Sequence, residues 1–201
     1  MLDIALVLFD DVVLLDVGGP WEVFLTANRL VARAGGDEPF TVTAVAVEPD
    51  VRAHGGLGLV GTADPADVGS VDVLVVPGAV DLDAVLARPV VRRAVAELAG
   101  RAALLASVCT GALLLADAGL LDDVTVTTHH EDVGALAAMV GEGAVTARWV
   151  DAGDVVTSGG LSSGIAMALH LVERLVSRDL AVATATQIEY DWDPDDGIVV
   201  T

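Results

Sequence analysis

The chain has 201 residues, of which 54% are apolar, and its formal net charge is -20. This length and apolar content are sufficient for the core of one α/β domain. Thirty acidic residues against ten basic ones exclude nucleic acid as an expected partner, because its phosphates would be repelled. The apolar runs are interrupted by Gly, Asp or Arg well before the roughly eighteen residues that a membrane span needs.

The amino terminus and the cysteine content point to one compartment. Met1-Leu2-Asp3 lacks the basic leader of a signal peptide, and the apolar run that follows has only the length of a strand. The single cysteine, Cys109, excludes an internal disulfide and agrees with a reducing environment. We therefore expect a cytoplasmic protein with a free thiol.

The charge pattern is unusual for an ordinary globular protein. All ten basic residues are arginine, and the acids are spread along the whole chain rather than gathered in a tail. Salt at about 1 M shortens the Debye length to roughly 3 Å and would screen this self-repulsion. The composition therefore predicts a halophilic protein. The alternative is an acidic protein from a mesophile whose GC-rich genome favours arginine.

The predicted elements alternate between short β-rich runs and helical stretches, which is typical of a mainly parallel sheet with helices on both faces. Strands are predicted at 4–9, 41–47, 71–76, 103–107 and 124–128, a short strand or hairpin at 55–60, and an antiparallel hairpin at 145–150 and 154–157. Helices are predicted at 19–34, 89–99, 110–118, 131–140, 162–176 and 180–190. Pro20 is expected in the first turn of the first helix.

Cys109 lies between the apolar strand predicted at 103–107 and the helix predicted at 110–118. A helix amino terminus favours the thiolate, so this thiol is expected to titrate below its usual pKa of about 8.5. The sharp turn would expose the side chain at the carboxyl edge of the sheet, where ligands bind in open α/β sheets. The residues alone leave two interpretations open, a reactive thiol or a buried structural cysteine.

Five motifs carry a resemblance to a known family. They are the segment 107–121, which begins Ser107-Val108-Cys109-Thr110-Gly111-Ala112, followed by Thr127-Thr128-His129; Leu15-Asp16-Val17-Gly18-Gly19-Pro20; Val75-Val76-Pro77-Gly78; Thr157-Ser158-Gly159-Gly160; and Gln187-Ile188-Glu189-Tyr190. Together they resemble the ThiJ/PfpI family of the class I glutamine amidotransferase-like superfamily. Within that family they are similar to isocyanide hydratases and to the amino-terminal domains of AraC-type regulators. The resemblance covers nearly the whole chain and implies a flavodoxin-like fold, a nucleophile elbow, a homodimer and no cofactor.

The resemblance also implies roles for individual residues. Cys109 matches the nucleophile, and Asp16 matches the acid that hydrogen-bonds the sulfur. Because an acid beside an anion needs a proton, the pKa of Asp16 should be raised, so that it can act as general acid or base. Without the resemblance, Asp16 would be interpreted as an ordinary acid near a helix amino terminus.

The oxyanion donors are implied to be the backbone N–H groups of Thr110 and of Ala79, the residue after Gly78. The family usually has two glycines at 78 and 79, and Ala79 supplies the same donor only if its φ is not positive.

The remaining expectations concern histidines and glycines. His129 is implied to lie near the cysteine as an acid, a base or a pocket wall, and a structural role at the strand end is the alternative. His130 stands where this branch often has Trp, which predicts a more polar pocket. Gly19, Gly159 and Gly160 are expected to line the pocket with His130. Two further histidines, His54 and His170, are expected outside the site.

Several activities are excluded by the residues. Peptidases of the superfamily carry His after the nucleophile, whereas this chain has Thr110, and no late His-x-Glu completes an amidotransferase triad. The Gly-rich turn at 55–58 lacks a Walker lysine, and one Cys with four scattered His predicts no metal site. The acidic segment at 191–196 is interpreted as a solvated terminus or a dimer edge.

The sequence therefore favours a cofactor-independent enzyme resembling isocyanide hydratase. In it Cys109 attacks an electrophilic carbon of a small molecule and Asp16 handles the proton. One alternative is action on reactive carbonyls such as glyoxals. Another is a ligand- or redox-sensing domain without turnover, although the chain leaves no room for a helix-turn-helix after 201 and its charge opposes DNA binding.

Overall fold

Seven strands form the main sheet of the computed structural model, which describes residues 1–48 and 50–200. These strands are β1 (Leu2–Leu8), β2 (Phe40–Ala46), β5 (Val71–Val76), β6 (Ala102–Val108), β7 (Trp149–Asp151), β8 (Val155–Ser158) and β9 (Ile198–Val199). They lie in the order β2-β1-β5-β6-β8-β7-β9, and β7 and β8 pair antiparallel while the other neighbours are parallel. A separate antiparallel pair joins β3 (Val51–Arg52) to β4 (Gly58–Leu59).

Helices cover the sheet in two groups. The helices are α1 (Leu14–Arg33), α2 (Leu82–Leu86), α3 (Pro89–Ala99), α4 (Gly111–Asp117), α5 (Val133–Val140), α6 (Ser163–Leu175) and α7 (Arg178–Gln187). One group is formed by α1, α6 and α7, which pack on one another, and the other is formed by α3, α4 and α5. The mostly parallel sheet flanked by helices confirms the fold class that the sequence predicts. Its central strands are nearly continuous apolar runs because both faces are covered.

The first helix starts earlier than the sequence predicts. It begins at Leu14 rather than at 19, so Pro20 stands inside the helix and not in its first turn. Pro20 has no N–H to donate to the carbonyl of Asp16, one turn earlier. The earlier start places Asp16 in the first turn of α1, which follows the loop at the carboxyl end of β1.

The prediction of a strand at 124–128 is wrong. The segment makes one isolated bridge, between Val126 and Ala144, and the backbone N–H of Thr127 donates to Thr157 Oγ1 at 2.8 Å. The hydroxyl of Thr157 thus takes the place of the backbone carbonyl that a neighbouring strand would offer to this N–H. The hairpin predicted at 145–157 is present, but its first strand is limited to β7.

The carboxyl-terminal segment packs on the protein. Trp192 is half-buried against the core, Asp196 accepts from Arg148 at 2.9 Å, and β9 pairs with β7. Gly197 lies so close to the ring of Trp149 that a Cβ there would fall 2.0 Å from it. The four aspartates of 191–196 remain exposed, as expected of a solvated segment, and the alternative of a dimer edge stays a prediction. Among the described residues, no helix has both the length and the apolar character needed to cross a bilayer.

Candidate active site

The turn from β6 to α4 holds Cys109 in a left-handed conformation, with φ of 56°. Such a backbone is costly for a residue with a Cβ and persists only where neighbours hold it. Here the N–H of Cys109 donates to the carbonyls of Ser158 (3.2 Å) and Gly159 (3.1 Å), and its carbonyl accepts from Thr128 Oγ1 at 2.7 Å. The end of β8 and the segment before α5 thus fix a strand-turn-helix elbow.

The carboxyl group of Asp16 lies beside the thiol and is fully buried. Its Oδ2 accepts from the N–H of Gly78 at 3.0 Å, whereas Oδ1 has no conventional hydrogen-bond partner among the described residues. Burial raises the pKa of Asp16 to about 6, and the interactions with the N–H groups of Gly78 and Leu161 and with the Cys109 thiol partly offset that effect. The direction agrees with the raised pKa that the resemblance implies.

Glycine is required at position 78. A Cβ there would lie 2.5 Å from Thr110 Oγ1 and 3.0 Å from Asp16 Oδ2. The close approach of this backbone to the elbow is what allows its N–H to reach the buried carboxyl group.

The pKa of Cys109 is shifted in the direction opposite to the one predicted from its place before a helix. Burial and the charge of Asp16 raise the pKa of the thiol to about 11, against the lowering effect of the N–H groups of Thr110 and Leu161. Cys109 is only 6% exposed, so the cost of burying the thiolate outweighs the favourable position before a helix. At neutral pH the Cys109 and Asp16 pair therefore holds one proton, which rests on sulfur.

The backbone donors differ from the expected set. The N–H of Ala79 donates to Thr110 Oγ1 at 2.9 Å, and that hydroxyl donates to the carbonyl of Ala79 at 3.0 Å. The N–H of Gly78 is engaged by Asp16. Gly78 and Ala79 therefore hold the site together rather than offer free donors, while the N–H groups of Thr110 and Leu161 lower the pKa of the Cys109 thiol.

Two details of these donors were open at the level of sequence. The φ of Ala79 is not positive, so the alanine fits this turn without strain. Leu161 was not singled out by its residue type, although it directly follows the Thr157–Gly160 motif. Its φ of 51° is left-handed, a conformation that only the fold reveals.

A cavity of about 270 Å³ opens over the thiol. Val13, Val80, Leu82 and Leu161 give it an apolar surface, and His129, Glu131 and Asp132 form a polar part of its wall. The remaining lining residues are Ala79, Cys109 and Thr110. This volume suits a small molecule.

His129 shares the cavity with Cys109. Its Nδ1 lies 3.4 Å from Asp132 Oδ2 and 3.8 Å from Glu131 Oε2, and its ring packs on that of His130 with 4.3 Å between centroids. A Cβ on Gly160 would fall 2.2 Å from the His129 ring, so the glycine makes room for the imidazole. These contacts place His129 in the wall, with one nitrogen turned to two acids.

The other expected pocket residues divide into two sets. His130, Gly159 and Gly160 line a neighbouring cavity of about 290 Å³, which shares His129 and Leu161 with the first. Gly19 lies outside both cavities: it is buried in α1, where a Cβ would fall 2.9 Å from Ile165 Cγ1 of α6. Its expected place in the pocket is therefore wrong, because a close contact between two helices accounts for the glycine.

His54 and His170 lie outside the thiol site, whereas His129 and His130 form a further cluster beside it. His54 pairs with Asp11 at 2.9 Å, and His170 is buried between Asp151 (2.7 Å) and the stacked ring of Trp149. His129, His130 and Glu131 each bring one potential ligand atom within 4.8 Å of the others. The sequence predicted no metal site, although these three residues are adjacent in the chain; His130 and Glu131 are exposed and His129 is half-buried.

Comparison with known proteins agrees with this geometry. Residues 3–174 match the model of the DJ-1/PfpI family, so the chain belongs to that family. The chain is 31% identical to the isonitrile hydratase of Pseudomonas putida over 192 residues, which cover 94% of this chain and 78% of that protein. The family resemblance seen in the sequence is thereby confirmed.

Two further relatives show the range of the family. The HTH-type transcriptional regulator GbdR of Pseudomonas aeruginosa is 29% identical over 194 residues, which cover 94% of this chain but only 50% of the regulator. Among solved structures, a THiJ/PfpI family protein from Pseudomonas syringae superposes with a TM-score of 0.83 at 27% identity, covering 96% of this chain and 77% of that one. The family thus includes both an enzyme and regulators.

Proposed function

We propose that the protein is a cofactor-independent cysteine enzyme that hydrates a small isocyanide, with Cys109 as nucleophile and Asp16 as proton carrier. The observation that carries this proposal is the thiol of Cys109, which lines a small cavity and interacts with the buried carboxyl group of Asp16. The likeness to an isonitrile hydratase supports the choice of substrate class.

The first step forms a carbon–sulfur bond. Asp16 is ionised above about pH 6 and accepts the thiol proton as the sulfur attacks the terminal carbon of the isocyanide. Asp16 then returns that proton to the same carbon. The product is a thioimidate, Cys–S–CH=N–R, and no redox partner is needed.

The second step consumes water. Asp16 takes a proton from water as the water oxygen adds to the thioimidate carbon, and it then gives that proton to the nitrogen, which forms Cys–S–CH(OH)–NH–R. The carbon–sulfur bond breaks as the hydroxyl becomes a carbonyl, which releases the formamide R–NH–CHO, and Asp16 transfers the hydroxyl proton to sulfur. The N–H groups of Thr110 and Leu161 stabilise the thiolate as it forms and as it leaves.

The test is formamide production from a small alkyl isocyanide, followed by NMR in high salt. Wild type should convert it, Cys109→Ser should lose conversion, and Asp16→Asn should be slowed about 100-fold or more. Asp179→Asn is the matched control, because Asp179 is an exposed acid in the first turn of α7. Full activity of Cys109→Ser would refute the nucleophile, and inert wild type would refute the substrate class.

Two other functions use the same cysteine. Action on glyoxals needs the same nucleophile and is tested with methylglyoxal in the same assay. A sensing role is favoured by the likeness to GbdR, which spans almost all of this chain. A pure sensor would bind a ligand without turnover, and Asp16→Asn would retain that binding.

A further inference from the structure

The charged residues that line the cavity beside Cys109 are acidic. Glu131 and Asp132 form part of its wall, and the described lining residues include neither arginine nor lysine. The one basic group there is His129, whose Nδ1 is turned to those two carboxylates. A substrate in this cavity therefore meets carboxylates that no arginine neutralises.

A second observation concerns the carboxyl group beside the Cys109 thiol, which does not itself line the cavity. Asp16 is fully buried, and its Oδ1 has no conventional hydrogen-bond partner among the described residues. This oxygen belongs to the carboxyl group that interacts with the Cys109 thiol. An anionic substrate would thus be repelled both at the wall and at the reacting sulfur, whereas a cationic one would be attracted at both.

The negative charge of the cavity wall also acts on the thiol of Cys109. Burial and then the charge of Asp16 raise the pKa of Cys109, and the charge of Asp132 acts in the same direction. A positive group bound beside Asp132 would reduce this effect and favour the thiolate.

We propose that Glu131 and Asp132 make the cavity selective for cationic substrates, so that the preferred electrophile carries an ammonium group. This inference rests on the proposed function for the chemistry of the electrophile. The charge preference itself is a property of the cavity and can be measured without turnover.

The experiment compares thiol reagents that differ in charge. A methanethiosulfonate transfers its R–S group to the Cys109 thiolate, which forms a mixed disulfide and releases methanesulfinate. Rates are measured with the trimethylammonium-ethyl and sulfonatoethyl reagents at one fixed KCl concentration, and each is divided by its rate with free cysteine. The normalised ratio of cationic to anionic rates should be about tenfold or more in wild type.

The variant that tests the wall is Glu131→Gln with Asp132→Asn. It should lower the ratio at least about fivefold. The matched control is Asp37→Asn with Glu38→Gln, which removes the same two charges from exposed positions before β2, at the opposite edge of the sheet. It should leave the ratio unchanged, and this result would distinguish the effect of the cavity charges from the effect of the net charge of the chain.

Each outcome decides the inference. A wild-type ratio near one, or equal ratios in the cavity and control variants, would overturn it. If the double variant does not fold, Glu131→Gln alone serves, since that side chain is 75% exposed, and it should lower the ratio about twofold or more. A ratio that behaves as expected while no isocyanide is converted would keep the charge preference and refute the proposed function.

Discussion

The buried carboxyl group of Asp16 interacts with the thiol of Cys109, and together with burial its charge raises the pKa of that thiol to about 11. The pKa of Asp16 is itself raised to about 6, chiefly by burial. The two groups therefore hold one proton between them over the neutral range. The protonation of either group therefore depends on the other, so the two are best treated as one titrating pair.

Replacing Asp16 should make the thiol more acidic. Asp16→Asn removes a negative charge beside the sulfur, so the pKa of Cys109 should fall, although burial of the thiol still raises it. Iodoacetamide reactivity measured against pH should show its inflection at lower pH in the variant than in wild type. A wild-type inflection below the free-thiol value of about 8.5 would contradict the structure and restore the prediction from helix position.

The same substitution should stabilise the fold at neutral pH. The pKa of Asp16 is raised above its unfolded value, so its contribution is fully present below about pH 4 and is lost as pH rises through about 6. The neutral amide avoids burying a charge, and the gain should be about 2–3 kcal/mol at most. Thermal melts should show a higher Tm for Asp16→Asn at pH 8 and a much smaller difference at pH 5 or below. Equal differences at both pH values would contradict this linkage.

Position 78 should tolerate no side chain. Gly78→Ala would place a Cβ 2.5 Å from Thr110 Oγ1, and relief of the overlap must shift the elbow or Asp16. We expect a loss of about 1–3 kcal/mol of unfolding free energy and a marked loss of activity. Gly134→Ala is the control, because a Cβ there meets nothing within 4 Å in α5. Chemical denaturation of both variants provides the measurement, and an equally stable Gly78→Ala would be inconsistent with the packing.

Salt should stabilise the protein. A formal charge of -20 causes self-repulsion that ions screen, so the melting temperature should rise steeply between low and molar KCl. Differential scanning calorimetry over this range measures the effect. A flat dependence would remove the case for a halophilic protein.

We also expect a dimer in molar salt. The resemblance to the family implies a homodimer, and apolar side chains such as Leu14, Leu15 and Leu25 on α1 are exposed in the single chain. Light scattering with size-exclusion chromatography determines the mass. A monomer across the accessible protein concentrations would refute the expectation.

Local patterns were enough to predict the main elements of the fold. The strand at Val71–Val76 and the helix at Pro89–Ala99 have the predicted limits, because an apolar run and a proline at a helix start are signals within one segment. The elbow at Cys109 was also predicted from the neighbouring strand and helix. Asp16 was assigned through a resemblance, since by its own surroundings in the chain it is an ordinary acid.

Only the tertiary structure decided the chemistry of the site. The direction of the Cys109 pKa shift depends on burial and on a carboxyl group from the distant helix α1, and both contributions outweigh the local helix position. The Leu161 N–H becomes a donor through a left-handed backbone that its residue type does not signal, and Thr110 Oγ1 engages the N–H of Ala79 across two loops. The segment at 124–128 has strand-like residues but bonds to the side chain of Thr157 instead of a strand. These outcomes depend on contacts between segments far apart in the chain, which sequence periodicity does not encode.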